Sequence, residues 1–398
     1  MITENNKAFK DIPLKIYEPE FGSELTNIII ELEKLRVKKL GGPVPPHIFF
    51  QLKEIFQMFE SLGSARIEGN RTTLSEFVEK IIENPTKKTK DDGLKEIYNI
   101  DNAIQFIEKN VDSKTNFSRY FISEIHKILV DGLTPPPTGE GSRYPGQFRP
   151  VNVTINKSSL ISPEHVQVPE YMEELLGFVN QPRTSQYHLL VMALAHHRMA
   201  WIHPFDNGNG RMVRMFTYAL LIKQGFKVKS GRIINPTAIF CMDRNKYYEK
   251  LAHADSGTRE GVLEWCTYVL EGLRSEIEKI DNLLDLKYMT NTILIPALDF
   301  ALERENITRR EYEILVFIVK NKGMEIRPID LKKAIGKDSV VERSRILKKL
   351  RDKKMVEPIG KQNGRIYTIS FANNYLLRGI AHVLEKNGFV PESLNKKD

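Results

Sequence analysis

Apolar residues recur at helical spacing along most of this chain. Leu25, Ile28, Ile29, Leu32 and Leu35 predict a helix over 24–38, which Gly41-Gly42-Pro43 and Pro45-Pro46 end. The same period predicts helices over 47–62, 74–83, 94–109, 118–129, 164–179, 187–201, 244–254 and 264–286. One stretch differs from these. From Met212 to Ile222 the chain is apolar on almost every side, and Gly225 follows where a C′ glycine stops a helix. A helix apolar all round belongs in a core. Strand alternation is rare by comparison. Val151, Val153 and Ile155 alternate with Asn152 and Thr154, and Asn156-Lys157-Ser158 can turn the chain back through Leu160-Ile161 as a hairpin. The C-terminal third reads as helices over 310–320, 328–335 and 339–353, then strands over 355–359 and 365–369. Three helices and a short hairpin make a winged helix-turn-helix, with Arg343, Arg345, Lys348, Lys349 and Arg351 on its recognition helix.

Length and charge sharpen this picture. A chain of 398 residues holds two or three domains. No run of 18 apolar residues spans a membrane, and the first residues lack a signal peptide's apolar core. Cys241 and Cys266 are too few for a disulfide framework and suit a reducing compartment, so the expected location is the cytoplasm. The net charge of +8 is local: residues 306–370 hold 17 Lys+Arg against 8 Asp+Glu, while the remainder is near neutral. The basic excess therefore belongs to the winged-helix segment and raises DNA as a partner.

The candidate chemistry lies at the start of the buried helix, in Ile202-His203-Pro204-Phe205-Asp206-Asn207-Gly208-Asn209-Gly210-Arg211-Met212-Val213-Arg214. Arg211 and Arg214 are three apart and share a face. Guanidinium groups stay charged, and burying them is costly unless an anion meets them. Gly208-Asn209-Gly210 offers backbone N–H groups with no bulky side chains in the way, and the helix N-terminus adds its positive dipole end. The stretch reads as a polyphosphate cradle with a base, His203, at its mouth. His188, His196 and His197 lack zinc-ligand spacing beside a carboxylate and read as packing residues.

This segment resembles the Fic-domain signature, His-Pro-Phe-x-Asp/Glu-Gly-Asn-Gly-Arg-x-x-Arg, matching it at His203, Pro204, Phe205, Gly208, Asn209, Gly210, Arg211 and Arg214. Asn207 departs from it, standing where the family usually has an acidic Mg²⁺ ligand; an amide oxygen can coordinate the ion but brings no charge. The resemblance implies a mainly α fold, a helical Fic core with a small β-hairpin flap, joined here to the C-terminal winged helix. The expected division is 1–115 for an N-terminal helical region, 116–272 for the Fic core, 273–300 for a linker helix, 301–375 for the winged helix and 376–398 for a tail.

It also implies a protein adenylyltransferase. His203 would be the base, and Gly208, Asn209, Gly210, Arg211 and Arg214 would hold ATP. Asn245 and Tyr248 would close over adenine, with Mg²⁺ at or near Asn207. Gly146, Arg149, Val153 and Ile155 resemble the flap that holds a target polypeptide, which would accept AMP on a Tyr, Ser or Thr hydroxyl. Ser64-Ala65-Arg66-Ile67-Glu68-Gly69-Asn70 resembles the family's inhibitory motif. Ser64 and Glu68 would face the cradle, and Glu68 would occupy Arg214. Members similar to Doc carry Ala-Asn-Lys in place of Gly-Asn-Gly and transfer phosphate, so Gly208-Asn209-Gly210 favours AMP transfer. Removal of AMP from the modified target is an alternative, and a nucleotide-sensing DNA-binding regulator is another. Self-modification and a homodimer stay open.

Overall fold

The computed structural model of the chain describes residues 9–37, 44–84, 88–154, 161–226, 236–335, 340–359 and 366–395. It is mainly helical: α1 (Glu24–Val37), α2 (Pro46–Glu68), α3 (Leu74–Glu83), α4 (Asp92–Asn110), α5 (Arg119–Val130), α6 (Val168–Asn180), α7 (His188–Ile202), α8 (Asn209–Lys223), α9 (Pro236–Met242), α10 (Arg244–Ala254) and α11 (Arg259–Asp281) come first. Then follow α12 (Leu286–Tyr288), α13 (Ile295–Glu303), α14 (Arg309–Lys320), α15 (Leu331–Ile335), α16 (Val340–Asp352) and α17 (Leu376–Lys386). None of the described helices is long and apolar enough to cross a membrane. The chain forms two compact units, residues 1–39, 60–71 and 89–277 in the first and 40–59, 72–88 and 278–398 in the second.

In the first unit α8 is the central helix. Met212, Val213, Met215, Phe216, Ala219, Leu220 and Leu221 are all buried, as its uniformly apolar sequence requires, and α4, α5 and α7 pack on it. Gly225 ends the helix at φ 88°, and the Phe226 N–H reaches back to the Leu221 carbonyl (3.2 Å), closing a Schellman-type cap. The helix α2 runs past Gly63, where the sequence pattern ended it. The reason is a close approach: the Cys241 thiol on α9 donates to the Gly63 carbonyl (2.9 Å), leaving no room for a larger side chain. Burial pushes the Cys241 thiol up to about 12.

The hairpin expected over 151–161 is not a strand ladder among the described residues. Residues 151–154 are irregular, Ile155 lies outside the described residues, and Ile161 makes a single parallel bridge to Phe9. Local partners take the carbonyls a ladder would use. Arg149 Nη1 donates to the Val151 carbonyl (3.0 Å), and Ser162 Oγ to that of Val153 (3.4 Å).

The second unit holds α3, α12 to α17 and a three-stranded antiparallel sheet in the order β1 (Glu325–Ile326), β3 (Tyr367–Ile369), β2 (Val356–Pro358). Thr368 pairs with Glu325 on one side and Glu357 on the other, and its buried hydroxyl donates to the Met324 carbonyl (2.8 Å). α12 passes through a π-helical stretch, Met289–Leu294, into α13. Against α13 packs α17, which occupies much of the segment expected as a tail.

Thr308 and Glu311 form a capping box at the start of α14. Glu311 also accepts from Lys353 (2.9 Å) and pairs with Lys349 (3.2 Å). Burial would raise its carboxyl, but the Lys353, Thr308 and Lys349 bonds override that and hold it at about 2. Its ordinary value is 4.5, so its contribution is complete above that value and disappears as pH falls through about 2. Thermal melts near neutrality and near pH 3 should therefore show the wild-type chain losing more stability than Glu311→Gln. Equal losses would contradict the assignment.

Candidate active site

The site is built where α7 ends and α8 begins. His203 caps α7 in the left-handed conformation at φ 51°, its N–H bonded to the Met199 carbonyl (3.1 Å). Its Nδ1 faces the Ala200 carbonyl at 3.4 Å, so Nδ1 carries the proton and Nε2 presents a lone pair. Burial lowers the imidazole to about 4, with Arg149 adding to the fall while Ala200 and Glu68 resist it. The His203 imidazole is thus neutral at physiological pH.

Arg149 fastens this turn from behind. Its N–H bonds to the Pro204 carbonyl (2.9 Å), its Nε to the His203 carbonyl (2.9 Å), and its Nη2 to Pro163. The guanidinium is buried. Rather than facing a target from a hairpin base, as the sequence suggested, it shapes the backbone that carries the base.

The loop from Phe205 to Gly208 is held by its own side chains. The Asn209 amide accepts from the Phe205 N–H (2.9 Å) and donates to the Phe205 carbonyl (2.8 Å), so it folds the loop instead of projecting toward a ligand. Gly208 caps α8 at φ 75°. The first intrahelical bond there runs from the Met212 N–H to the Gly208 carbonyl (3.0 Å), and the N–H groups of the first turn precede it.

Over that turn lies a carboxylate. A Cβ built on Gly210 would collide with the Glu68 carboxyl group. Arg214, almost wholly buried, donates from Nη2 to Glu68 Oε1 (2.8 Å) and to the Ser64 carbonyl (2.9 Å), and from Nε to Ser64 Oγ (2.8 Å). Burial alone would raise Glu68, but Arg214, with Arg211 and Arg244 behind it, holds its carboxyl below the usual range. Arg211 meets Glu96 (3.0 Å) and Glu140 (3.4 Å).

The start of α10 lies within electrostatic reach of this group, Tyr248 acting on Arg214 and Arg244 on Glu68. Asn245 is exposed there and Tyr248 half-buried, while Tyr247 is buried against His196 (2.9 Å between Nε2 and the phenol oxygen). His196 and His197 are packing residues, His197 pairing with Asp255 (2.8 Å). Val153 is half-buried in the irregular segment already described.

The donors at the expected metal position do not fit a resident Mg²⁺. Asn207 Oδ1 accepts from the Gly208 N–H (2.8 Å), and its Nδ2 turns to the Gly139 carbonyl (3.4 Å). Both Asp206 oxygens are engaged, by Ser142 Oγ and the Arg143 N–H. No group of three or more His, Cys, Asp or Glu able to hold a metal occurs among the described residues. An uncharged, already bonded oxygen is a poor hard-cation ligand.

Three contributors escaped the sequence reading. Glu60 lies on the same face of α2 as Ser64 and Glu68, a four-residue repeat that was visible but uninterpretable without α9. Its carboxylate accepts the Thr237 N–H (3.0 Å) and hydroxyl, capping α9; burial pushes it up to about 8. Glu96 is the second. The third is His126, whose ring stacks on Phe205 (3.7 Å, 4°). Its Nδ1 accepts from the Gly146 N–H (2.9 Å), and so Nε2 carries the proton donated to the Asn207 carbonyl (3.0 Å).

With this geometry in hand, the comparisons are specific. Residues 116–221 match the Fic/DOC family, and this segment of the chain is a Fic domain. Two relatives named Protein adenylyltransferase Fic, from Nematostella vectensis and Drosophila yakuba, are 28% identical over 204 residues and 29% over 205. These alignments cover 49% and 50% of this chain, but only 42% and 37% of those proteins. The chain thus spans less than half the length of the curated relatives it matches. Among solved structures, a Fic family protein from Desulfovibrio desulfuricans has a TM-score of 0.53 at 18% identity, covering 89% of this chain and 98% of that one. A Fic domain containing signaling protein from Bacteroides thetaiotaomicron has a TM-score of 0.50 at 18% identity, covering 66% and 97%. These likenesses establish the fold.

Replacing His126 with Phe would keep the stack on Phe205 and remove both hydrogen bonds. The Gly146 N–H and the Asn207 carbonyl would lose their partner, each a cost of about 1–3 kcal/mol when buried. A urea titration should show destabilisation of at least about 2 kcal/mol. Unchanged stability would mean that the two groups find other partners.

Proposed function

We propose that this chain is a protein adenylyltransferase that moves AMP from ATP to a Tyr, Ser or Thr hydroxyl of a target protein. The observation that carries the reading is a neutral histidine with a free Nε2 beside a helix N-terminus whose arginine is held by a carboxylate. The names of the relatives support the same reaction.

In this reaction the hydroxyl oxygen bonds to the α-phosphorus as the bond to the β-phosphate oxygen breaks. His203 Nε2 takes the hydroxyl proton, and pyrophosphate leaves. The α8 first-turn N–H groups and the two arginines face the charge that develops on the phosphates. Asn209 contributes by folding the loop, not by touching phosphate. Mg²⁺ bound with the nucleotide would supply charge neutralisation.

In the resting state Glu68 holds Arg214, an arrangement that denies the arginine to a γ-phosphate and leaves ATP misplaced for attack. Breaking such a buried pair is typically a matter of about 3–5 kcal/mol. The reverse reaction, removal of AMP from the modified target, uses the same groups and is the alternative within this reading. The order helix, strand, helix, helix, two strands over α14 to β3 supports a winged helix in the second unit. Lys349 and Lys353 are already spent on Glu311, which weakens a DNA-binding face and favours protein docking.

Incubation with α-labelled ATP and a cell lysate should label a target band. His203→Ala should abolish that label while nucleotide affinity stays within about twofold, because the α8 turn and its arginines do the holding. Substantial transfer by the alanine variant would remove His203 as the base.

A further inference from the structure

Arg214 has its anion from α2, but Arg211 takes its own from elsewhere. The Arg211 side chain is 0% exposed and that of Glu96, on α4, is 3% exposed, with Nη1 and Oε1 3.0 Å apart. Nη2 donates to the Glu140 carbonyl (2.6 Å), with the Glu140 carboxylate 3.4 Å away. Nε and Nη1 are both buried and make no hydrogen bond among the described residues, so Nη1 meets Glu96 as an ion pair and Nη2 alone donates. Contacts at Nη1 and Nη2 limit how the planar guanidinium can turn.

The other Glu96 oxygen is held as well. Asn70 Nδ2 donates to Oε2 (2.7 Å) and to the Gly93 carbonyl (2.9 Å). Asn70 itself is fixed by the end of α2, its N–H bonded to the Ala65 carbonyl (3.1 Å). A chain of contacts therefore runs from the turn that carries Glu68, through Asn70 and Glu96, to Arg211. Burial raises the Glu96 carboxyl, with Glu140 and Glu68 adding to the rise, while Arg211 and the Asn70 bond oppose it.

We propose that Glu96 is the positioning residue for Arg211. From α4 it aims the guanidinium at the outer phosphates of a nucleotide, and Asn70 locks Glu96 in that pose. Glu96 touches no reacting atom; it acts through the arginine. A buried ion pair is an expensive way to stabilise a fold, since well-packed apolar residues of the same volume often do as well. At the mouth of an anion cradle the same pair has a second use, fixing a donor before the ligand arrives. The inference rests on reading the cradle as a nucleotide site, and it extends that reading to a residue outside the family-matched segment 116–221.

The test compares three nucleotides on the full chain: a non-hydrolysable ATP analogue, ADP and AMP, with affinities measured by calorimetry. Glu96→Gln keeps the shape, loses the charge and sets an amide against the guanidinium. It should weaken the ATP analogue and ADP at least about tenfold while leaving AMP within about twofold, because only the outer phosphates use Arg211. Glu96→Asp, which keeps the charge, should recover part of the loss, and Asn70→Ala should show the same selectivity more weakly. Thermal melts check that each variant is folded. Equal weakening of all three nucleotides would reduce Glu96 to a structural residue, and unchanged or tighter binding of the ATP analogue would overturn the proposal. A wild-type chain that binds none of the three would instead refute the nucleotide reading itself.

Discussion

Two arginines buried at the N-terminus of a buried helix set the terms for the first unit. Neither can lose its proton, and burying either is costly unless partners offset its charge. Arg214 and Arg211 satisfy that demand with Glu68 and Glu96, which come from two different helices. The requirement ties the far end of α2 to the start of α8, and α4 to both. It also explains why α2 must extend far enough to place Glu68 over Gly210 and Ser64 against Arg214.

A carboxylate in a phosphate cradle is a placeholder by chemistry. It offers two acceptor oxygens where a phosphate would offer three, and it lies over the first turn of α8 with one of them on the Arg214 guanidinium. On the proposed reading, the Glu68 carboxylate closes the cradle in the nucleotide-free protein, and His203 would accept a proton once a hydroxyl and a phosphate replace it. Burial, which lowers the imidazole, also raises Glu60 beneath the same helix face.

The sequence was most legible where chemistry and period coincided. The boundaries of α3 and α10 follow directly from apolar spacing, whereas in the signature loop the side-chain bonds of Asn207 and Asn209 could not be read from sequence. The resemblance of residues 64–70 to the inhibitory motif pointed to Arg214 as the partner of Glu68, and the two lie 2.8 Å apart. Three features stayed hidden for physical reasons. The Gly63 break failed because a tertiary approach from Cys241 outweighs helix propensity. The alternation at Val151 and Val153 carried no information about Arg149 and Ser162, which take those two carbonyls. Glu60 and Glu96 look like ordinary helix-surface acids until their neighbours are known, since a single charged residue carries no signature of its partner.

The central claim is that Glu68 keeps Arg214 from a nucleotide, and one measurement bears on it most directly. AMP transfer, including self-modification, should be followed from α-labelled ATP by the wild-type chain and by Glu68→Gly, with the fold checked by circular dichroism. The account predicts a rise of at least about tenfold in the variant, equivalent to about 1.4 kcal/mol of barrier and modest for a charge-assisted pair. An unchanged or lower rate in a folded Glu68→Gly protein would contradict it.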